Sequence, residues 1–249
     1  MRRFAIAPER IVDGRVTFDA LESRHLSRAL RLRPGDTVIA SDGCGHDYTV
    51  RLDSVGARAT GTVLGVAARG AESPLAITLV QGVPKGDKME AIVRAATELG
   101  VARIQPVLTM RTVVHLAAHA ADARATRCQR SAREAAKQCG RAVVPAVATP
   151  APLAVSLDEA RDSDLAVCLW EGEAPPLAAT LECVRHPRRA AVLVGPEGGL
   201  DASEVAAARR AGWRVASLGP RVLRTETAGP AIVTILQLRF GDLGGDAGA

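Results

Sequence analysis

The sequence predicts an α/β chain, a mostly parallel sheet with helices, preceded by a small β-barrel. Three observations predict it. Short strand-like runs broken by turn signals fill residues 1–70, a Gly-Ala-Glu-Ser-Pro linker occupies 70–74, and strands then alternate with helical stretches to the end. With 249 residues, 47% of them hydrophobic, the chain has enough material to bury the core of one large domain or two ordinary ones.

In the first part, strand-like runs at 15–18, 37–40, 48–52 and 60–66 are separated by Pro34-Gly35-Asp36, Asp42-Gly43 and Gly56. A helix over 21–32 interrupts them and sets Arg24, Arg28 and Arg31 at i, i+4 and i+7 on one face. Such a face is usually solvated surface; the net charge of +5 and the pI near 9.3 favour an RNA-contacting one. Past the linker, strands are expected at 75–80, 103–108, 164–169, 191–194 and 213–218, and helices near 87–99, 122–138 and 203–211. The second helix carries Arg124, Arg127, Arg130, Arg133 and Lys137, a solvated stripe or a phosphate track.

The most informative stretch is 191–240. Ala191-Val192-Leu193-Val194 reads as a buried strand and runs into Gly195-Pro196-Glu197-Gly198-Gly199, which must turn sharply. Asp201 and Glu204 form a capping-box pattern for the next helix, and Gly212 suits its C′ position. A second strand then feeds Gly219-Pro220-Arg221-Val222-Leu223-Arg224-Thr225-Glu226-Thr227 and a last apolar helix. Two strand ends thus offer flexible backbone to one crevice, the usual ligand position in an open α/β sheet. The first loop has no Gly-Lys-Ser/Thr ending and no G-x-G-x-x-G spacing, and Glu197 stands where an anion would sit. A neutral or cationic ligand fits better than a nucleoside triphosphate.

Composition excludes several classes. Aromatic residues are only 2%, so base stacking on aromatic platforms is not expected, and RNA binding must rest on phosphate contacts and shape. The five cysteines contain no C-x-x-C pair and read as free thiols in a reducing compartment. No apolar run is long enough for a membrane span and no secretory signal is apparent, so a cytoplasmic protein is expected. His115 and His119 are four apart but lack the H-E-x-x-H glutamate and a third ligand, and no metal is expected. There is no G-x-S-x-G elbow for serine hydrolysis.

Leu193 to Gly199 followed by Leu218 to Ala228 resembles the ribosomal RNA small-subunit methyltransferase E family, of the knotted SPOUT class. Lys85-Gly86-Asp87-Lys88-Met89-Glu90, Glu98-Leu99-Gly100-Val101, Gln138-Cys139-Gly140-Arg141 and Leu238-Arg239-Phe240-Gly241-Asp242-Leu243-Gly244 resemble it in the same order. His25 to Leu32 and Pro34-Gly35-Asp36 are similar to its PUA-like barrel. The resemblance implies a PUA-like RNA-binding domain over 1–70, a SPOUT domain with a C-terminal trefoil knot over 74–244, a flexible 245–249 tail and a homodimer. It also implies methyl transfer from S-adenosylmethionine to N3 of a uridine of 16S rRNA, position 1498 in rRNA numbering, in the small ribosomal subunit.

That ligand carries no phosphate, which agrees with a glycine loop lacking lysine. The resemblance places it against three strand ends: Leu169, Trp170 and Glu171; Leu193, Val194, Gly195, Pro196, Glu197, Gly198 and Gly199; and Leu218, Gly219, Pro220, Leu223, Arg224 and Thr225. Uridine N3 carries a hydrogen at neutral pH, so a base or a stabiliser of the anion is needed. Arg224 is the candidate for substrate orientation and Glu226 for the base, with Glu197 as the other carboxylate available and a loop-ordering role open to both glutamates. Arg24, Arg28, Arg31, Lys85, Lys88, Arg111 and Arg221 are the RNA-contact candidates. Two features depart from the family pattern: Lys137 where an acidic residue is common, and Gly229-Pro230, expected to be tolerated in a first helical turn. A ribose 2′-O-methyltransferase and a non-catalytic RNA-binding assembly factor are the rival readings. Arg-Thr-Glu-Thr at 224–227 counts against the first, for which asparagine and serine are expected.

Overall fold

The computed structural model describes residues 2–68, 72–113 and 118–244. Gly70 and Ala71 of the expected linker, His115, the His119 side chain and the 245–249 tail lie outside the described residues. The chain divides into two compact units, Met1–Glu72 with Arg133–Val144, and Ser73–Ala132 with Pro145–Ala249.

The first unit is a six-stranded sheet. Its strands are β1 (Arg3–Ala5), β2 (Ile11–Val12), β3 (Arg15–Thr17), β4 (Thr37–Ser41), β5 (His46–Ser54) and β6 (Thr60–Ala68). They lie in the order β1-β4-β5-β6-β3-β2, antiparallel except for β1 on β4. The alternation of apolar residues turns Phe4, Val16, Val38, Val50 and Leu52 inward, where they pack with Phe18 and Leu26 at no more than 1% exposure.

The interrupting helix is shorter than 21–32. Asp19 caps α1 (Ala20–Arg24) by accepting the Glu22 N–H, and the chain then widens into a π-helical turn over His25–Ala29, where the Leu30 N–H reaches the His25 carbonyl. Arg31 has left the helix with φ +51°, and Pro34 follows. Arg24, Arg28 and Arg31 are all exposed but do not share one helical face, because the wide turn changes the register after Arg24.

The last turns of α3 (Ala118–Cys139) belong to this unit, and they explain Lys137. Its Nζ lies 2.6 and 2.9 Å from the two oxygens of Glu22 and 5.4 Å from the centre of the Phe4 ring. Glu22 is 4% exposed, so Lys137 neutralises a buried carboxylate. The basic stripe on the same helix is partly internal too. Arg124 donates to the carbonyls of Pro84 and Gly86 at 2.9 Å, while Arg127, which faces Glu90 at 3.6 Å, and Arg130 and Arg133 are exposed.

The second unit is an all-parallel sheet. Its strands are β7 (Ala76–Gly82), β8 (Arg103–Leu108), β9 (Ala146–Val147), β10 (Ala151–Pro152), β11 (Leu165–Leu169), β12 (Arg189–Val194) and β13 (Arg214–Ala216). The order is β10-β8-β7-β12-β11-β13, with β9 also on β8. The central strands are near-continuous apolar runs because both faces are covered: Ala190 to Val194 are all buried. Helices α2 (Lys88–Glu98), α4 (Leu153–Glu159), α5 (Leu177–Leu181), α6 (Ala202–Arg210) and α7 (Thr225–Phe240) complete it, with α2 packed on α7. The capping box of Asp201 and Glu204 forms, and Gly212 follows α6 with φ +91°.

All five cysteines are free. Burial pushes the Cys128 thiol up to about 11 and the Cys168 thiol up to about 12, so neither is ionised at neutral pH.

Pro230 does not sit in the first turn. Helix α7 starts at Thr225, so Pro230 is its sixth residue and supplies no N–H to the Glu226 carbonyl. Gly229 before it is closely packed, since a Cβ there would lie 3.0 Å from Gln81 Oε1 and Gln81 would have to give way.

Candidate active site

Three loops leave the carboxyl ends of β11, β12 and β13 side by side, and together they enclose a cavity of about 630 Å³. That volume lies in the range of small-molecule sites. The walls are residues 169–172, residues 194–199 without Gly198, and residues 217–226 with Ala228; Lys88 of α2 closes one side.

The loop after β12 is fixed by close backbone approaches. The Gly199 N–H closes a turn on the Pro196 carbonyl at 2.9 Å with φ +70°. A Cβ on Gly195 would lie 2.9 Å from the Gly199 carbonyl carbon, and one on Gly199 would collide with the Glu171 carboxylate. At the loop's far side the Arg111 guanidinium donates to the Gly198 carbonyl at 3.0 Å and to Asp201 at 3.3 Å. The start of α7 is tied to the same loop by Thr225, 4% exposed. Its hydroxyl donates to the Gly195 carbonyl at 2.7 Å and accepts from Gln81 Nε2 at 2.9 Å. One buried threonine therefore joins the end of the β13 loop, the β12 loop and β7.

Charge is concentrated where Lys88 meets two glutamates. Its Nζ is 3.0 Å from Glu197 Oε1 and 3.7 Å from Glu226 Oε2. The hydrogen bond to Glu197 chiefly raises the Lys88 pKa. Partial burial alone raises the Glu197 carboxyl, but its own backbone N–H, Lys88 and the Lys85 N–H outweigh burial and hold it below the ordinary carboxylate range. A carboxylate so stabilised is a poor base, and its oxygens are already engaged. Glu226 differs. Its Oε2 is buried and accepts no hydrogen bond among the described residues. Arg221 and Arg224 are exposed on the cavity wall, and neither side chain makes a hydrogen bond or ion pair among the described residues.

Most of the residues expected around the cofactor line this cavity: Leu169, Trp170, Glu171, Val194, Gly195, Pro196, Glu197, Gly199, Leu218, Gly219, Pro220, Leu223, Arg224 and Thr225. Leu193 and Gly198 do not. Leu193 is 0% exposed because strand alternation turns it into the core with Val205 and Trp213, and Gly198 turns away against Arg111. Among the expected RNA contacts, Lys85 and Arg111 help shape the β12 loop, and Lys88 and Arg221 line the cavity. Ser217, Val222 and Ala228 also line the cavity and were not among the expected positions, although Val222 and Ala228 lie within the stretch 218–228 and Ser217 borders it. Only the Ser217 hydroxyl, bonded to Gly219 in a short turn, carried a recognisable signal.

Residues fit for a cationic, phosphate-free ligand are thus present: glycine-lined backbone at three strand ends and the carboxylates of Glu171, Glu197 and Glu226 on the walls. Among the described residues no cluster of His, Cys, Asp and Glu is arranged to hold a metal ion, and no helix is long and apolar enough to cross a membrane.

Comparison with known proteins agrees with this geometry. Residues 71–237 match the model of an RNA methyltransferase domain. A ribosomal RNA small subunit methyltransferase E of Synechocystis sp. is 35% identical over 228 residues, 91% of this chain and 74% of that protein. A crystal structure of a ribosomal RNA small subunit methyltransferase E from Neisseria gonorrhoeae, bound to S-adenosyl methionine, superposes with a TM-score of 0.87 at 34% identity, covering 98% of this chain and 99% of that one. A Legionella pneumophila methyltransferase structure with bound cofactor superposes with a TM-score of 0.89 at 28% identity, over 97% and 98% of the two chains.

Proposed function

Because the chain belongs to the ribosomal RNA small subunit methyltransferase E family, we propose that it methylates N3 of one uridine of 16S rRNA in the small ribosomal subunit, with S-adenosylmethionine as donor. The observation that carries this is the pairing, in one cavity at the sheet's carboxyl ends, of a phosphate-free glycine lining with the Glu226 carboxylate beside Lys88. The bound donor supplies an electrophilic methyl carbon on a sulfonium. Backbone at 195, 218 and 219 and the wall from Leu169 to Gly172 hold it.

Glu226 takes the N3 proton as the N3 electron pair meets the methyl carbon, whose former bonding pair returns to sulfur. Its three donors and lowered pKa make Glu197 the poorer base of the two. Arg224, free on the same wall, orients the uridine and stabilises charge on its oxygen. Arg221 and the exposed Arg24, Arg28 and Arg31 make phosphate contacts.

We further infer a PUA-like barrel in the first unit, supported by its six-stranded sheet, and a trefoil knot, supported by the order β12-β11-β13 with Thr225 bonded back to Gly195. A homodimer is supported by the apolar α7, which exposes Ile235 and Leu238. The protein works where ribosomal subunits mature, in the cytoplasm. An Arg224→Ala variant tests the site: methyl transfer to small subunits is lost while calorimetry finds cofactor affinity within a few-fold of wild type. Wild-type turnover refutes the assignment, and absence of cofactor binding in the unaltered protein turns the reading toward a pure RNA-binding module.

A further inference from the structure

Lys88 enters the cavity from helix α2, far in sequence from the loops that build the rest of it. Its position between two glutamates invites a purely structural reading, a strut that holds loop to helix. Two details go further. First, the ammonium has three donors, and Glu197 Oε1 at 3.0 Å engages one of them well, while Glu226 Oε2 at 3.7 Å lies beyond a good hydrogen bond. Second, Glu226 Oε2 is buried and accepts no hydrogen bond among the described residues, with the Lys88 ammonium 3.7 Å away. A buried acceptor left unmatched is costly, and native structures rarely keep one without a use.

Glu226, whose side chain is 27% exposed, and Lys88 both line one cavity, and a carboxylate beside an under-used donor there is half of a base-reading edge. The pairing edge of uracil presents N3–H flanked by two carbonyl oxygens. A carboxylate can accept the N3–H while a neighbouring ammonium, here 3.7 Å away, donates to one flanking oxygen. We propose that Lys88 is a specificity-determining residue that donates to this uracil carbonyl, so that Lys88 and Glu226 together read uracil; the inference rests on the N3-uridine reading above. Cytosine is rejected by the same pair, because its N3 is a bare acceptor and meets the Glu226 carboxylate lone pair to lone pair. When N3 loses its proton to Glu226, negative charge spreads onto the flanking oxygens, and Lys88 is then placed to stabilise it. Glu197 fixes the ammonium for this task and is itself fixed by the Lys85 N–H at 3.1 Å.

The test uses the full-length Lys88→Met and Lys88→Arg variants with small subunits carrying unmethylated 16S rRNA, and calorimetric titration of S-adenosylmethionine alone. For Lys88→Met we expect kcat/KM to fall roughly 10- to 100-fold, as for loss of one base-edge contact. Cofactor affinity stays within about threefold of wild type, the deficit shrinks as pH rises and uridine ionises unaided, and Lys88→Arg recovers part of the loss. A Lys88→Met enzyme that loses cofactor affinity and turnover in parallel at every pH overturns the proposal in favour of a strut, as does one that turns over at the wild-type rate. The underlying reading fails separately: if the unaltered protein places its methyl anywhere but uridine N3, that reading falls whatever Lys88→Met does.

Discussion

Replacing Thr225 with valine tests how the two glycine loops are joined. The substitution keeps the shape of a side chain only 4% exposed and removes its hydroxyl. Two bonds go with it, the 2.7 Å donation to the Gly195 carbonyl and the 2.9 Å acceptance from Gln81 Nε2. Gln81 Nε2 retains the Gly82 carbonyl at 3.1 Å, so the larger penalty falls on Gly195. At about 1 kcal/mol for each net bond, with more where a buried partner is stranded, the loss is about 2–3 kcal/mol of unfolding free energy. Because Gly195 lines the cavity, binding must also re-order the loosened loop, and about 2 kcal/mol corresponds to roughly 30-fold in Kd. Urea denaturation reads the first quantity, with an unchanged m-value, and S-adenosylmethionine titration followed by the fluorescence of Trp170 on the cavity wall reads the second. Thr225→Ser keeps the hydroxyl and recovers most of both. A Thr225→Val protein within about 0.5 kcal/mol of wild type and with unchanged Kd refutes the argument that this hydroxyl holds the loops together.

Two further outcomes follow from the same geometry. Lys137→Met leaves Glu22 buried with only the Ala5 N–H at 3.3 Å and His25 at 3.6 Å for company, so unfolding free energy falls by about 3 kcal/mol, measured by urea denaturation; a neutral result means that the pair is solvated. The Lys88–Glu197 pair sets a pH window. Glu197 is lowered, so its contribution is present above the ordinary carboxylate range and lost only as pH falls through the lowered value; Lys88 is raised, so its contribution persists until pH rises through the raised value. The difference in unfolding free energy between wild type and Lys88→Met, measured by urea denaturation, is therefore flat from about pH 5 to about pH 9, and a midpoint of that difference inside the range contradicts the pairing.

Local signals were legible wherever one residue decided the backbone. Asp201, Glu204 and Gly212 announced the ends of α6, and the apolar run at 191–194 announced a buried strand. The cavity walls were legible in outline because strand ends carry ligand loops, but the resemblance supplied the individual positions. What sequence could not supply was long-range pairing. Nothing near Lys88 announces Glu197 and Glu226, more than a hundred residues away, and nothing near Lys137 announces Glu22. The arginine face at 24, 28 and 31 is broken because a π-helical turn leaves no sequence period to find, and the inward turn of the Leu193 side chain leaves no signal because residues 190–194 of a strand buried on both faces are all apolar. Pro230 was misplaced for a similar reason: the helix begins at Thr225, a residue held by the distant Gln81 and Gly195.

The position that receives the methyl group tests the N3-uridine assignment most directly. Small subunits carrying unmodified 16S rRNA, incubated with the protein and isotope-labelled S-adenosylmethionine, should yield one labelled nucleoside, N3-methyluridine, at a single position of 16S rRNA. Label on a ribose 2′-oxygen, on another base atom, or on no nucleoside at all contradicts the central claim.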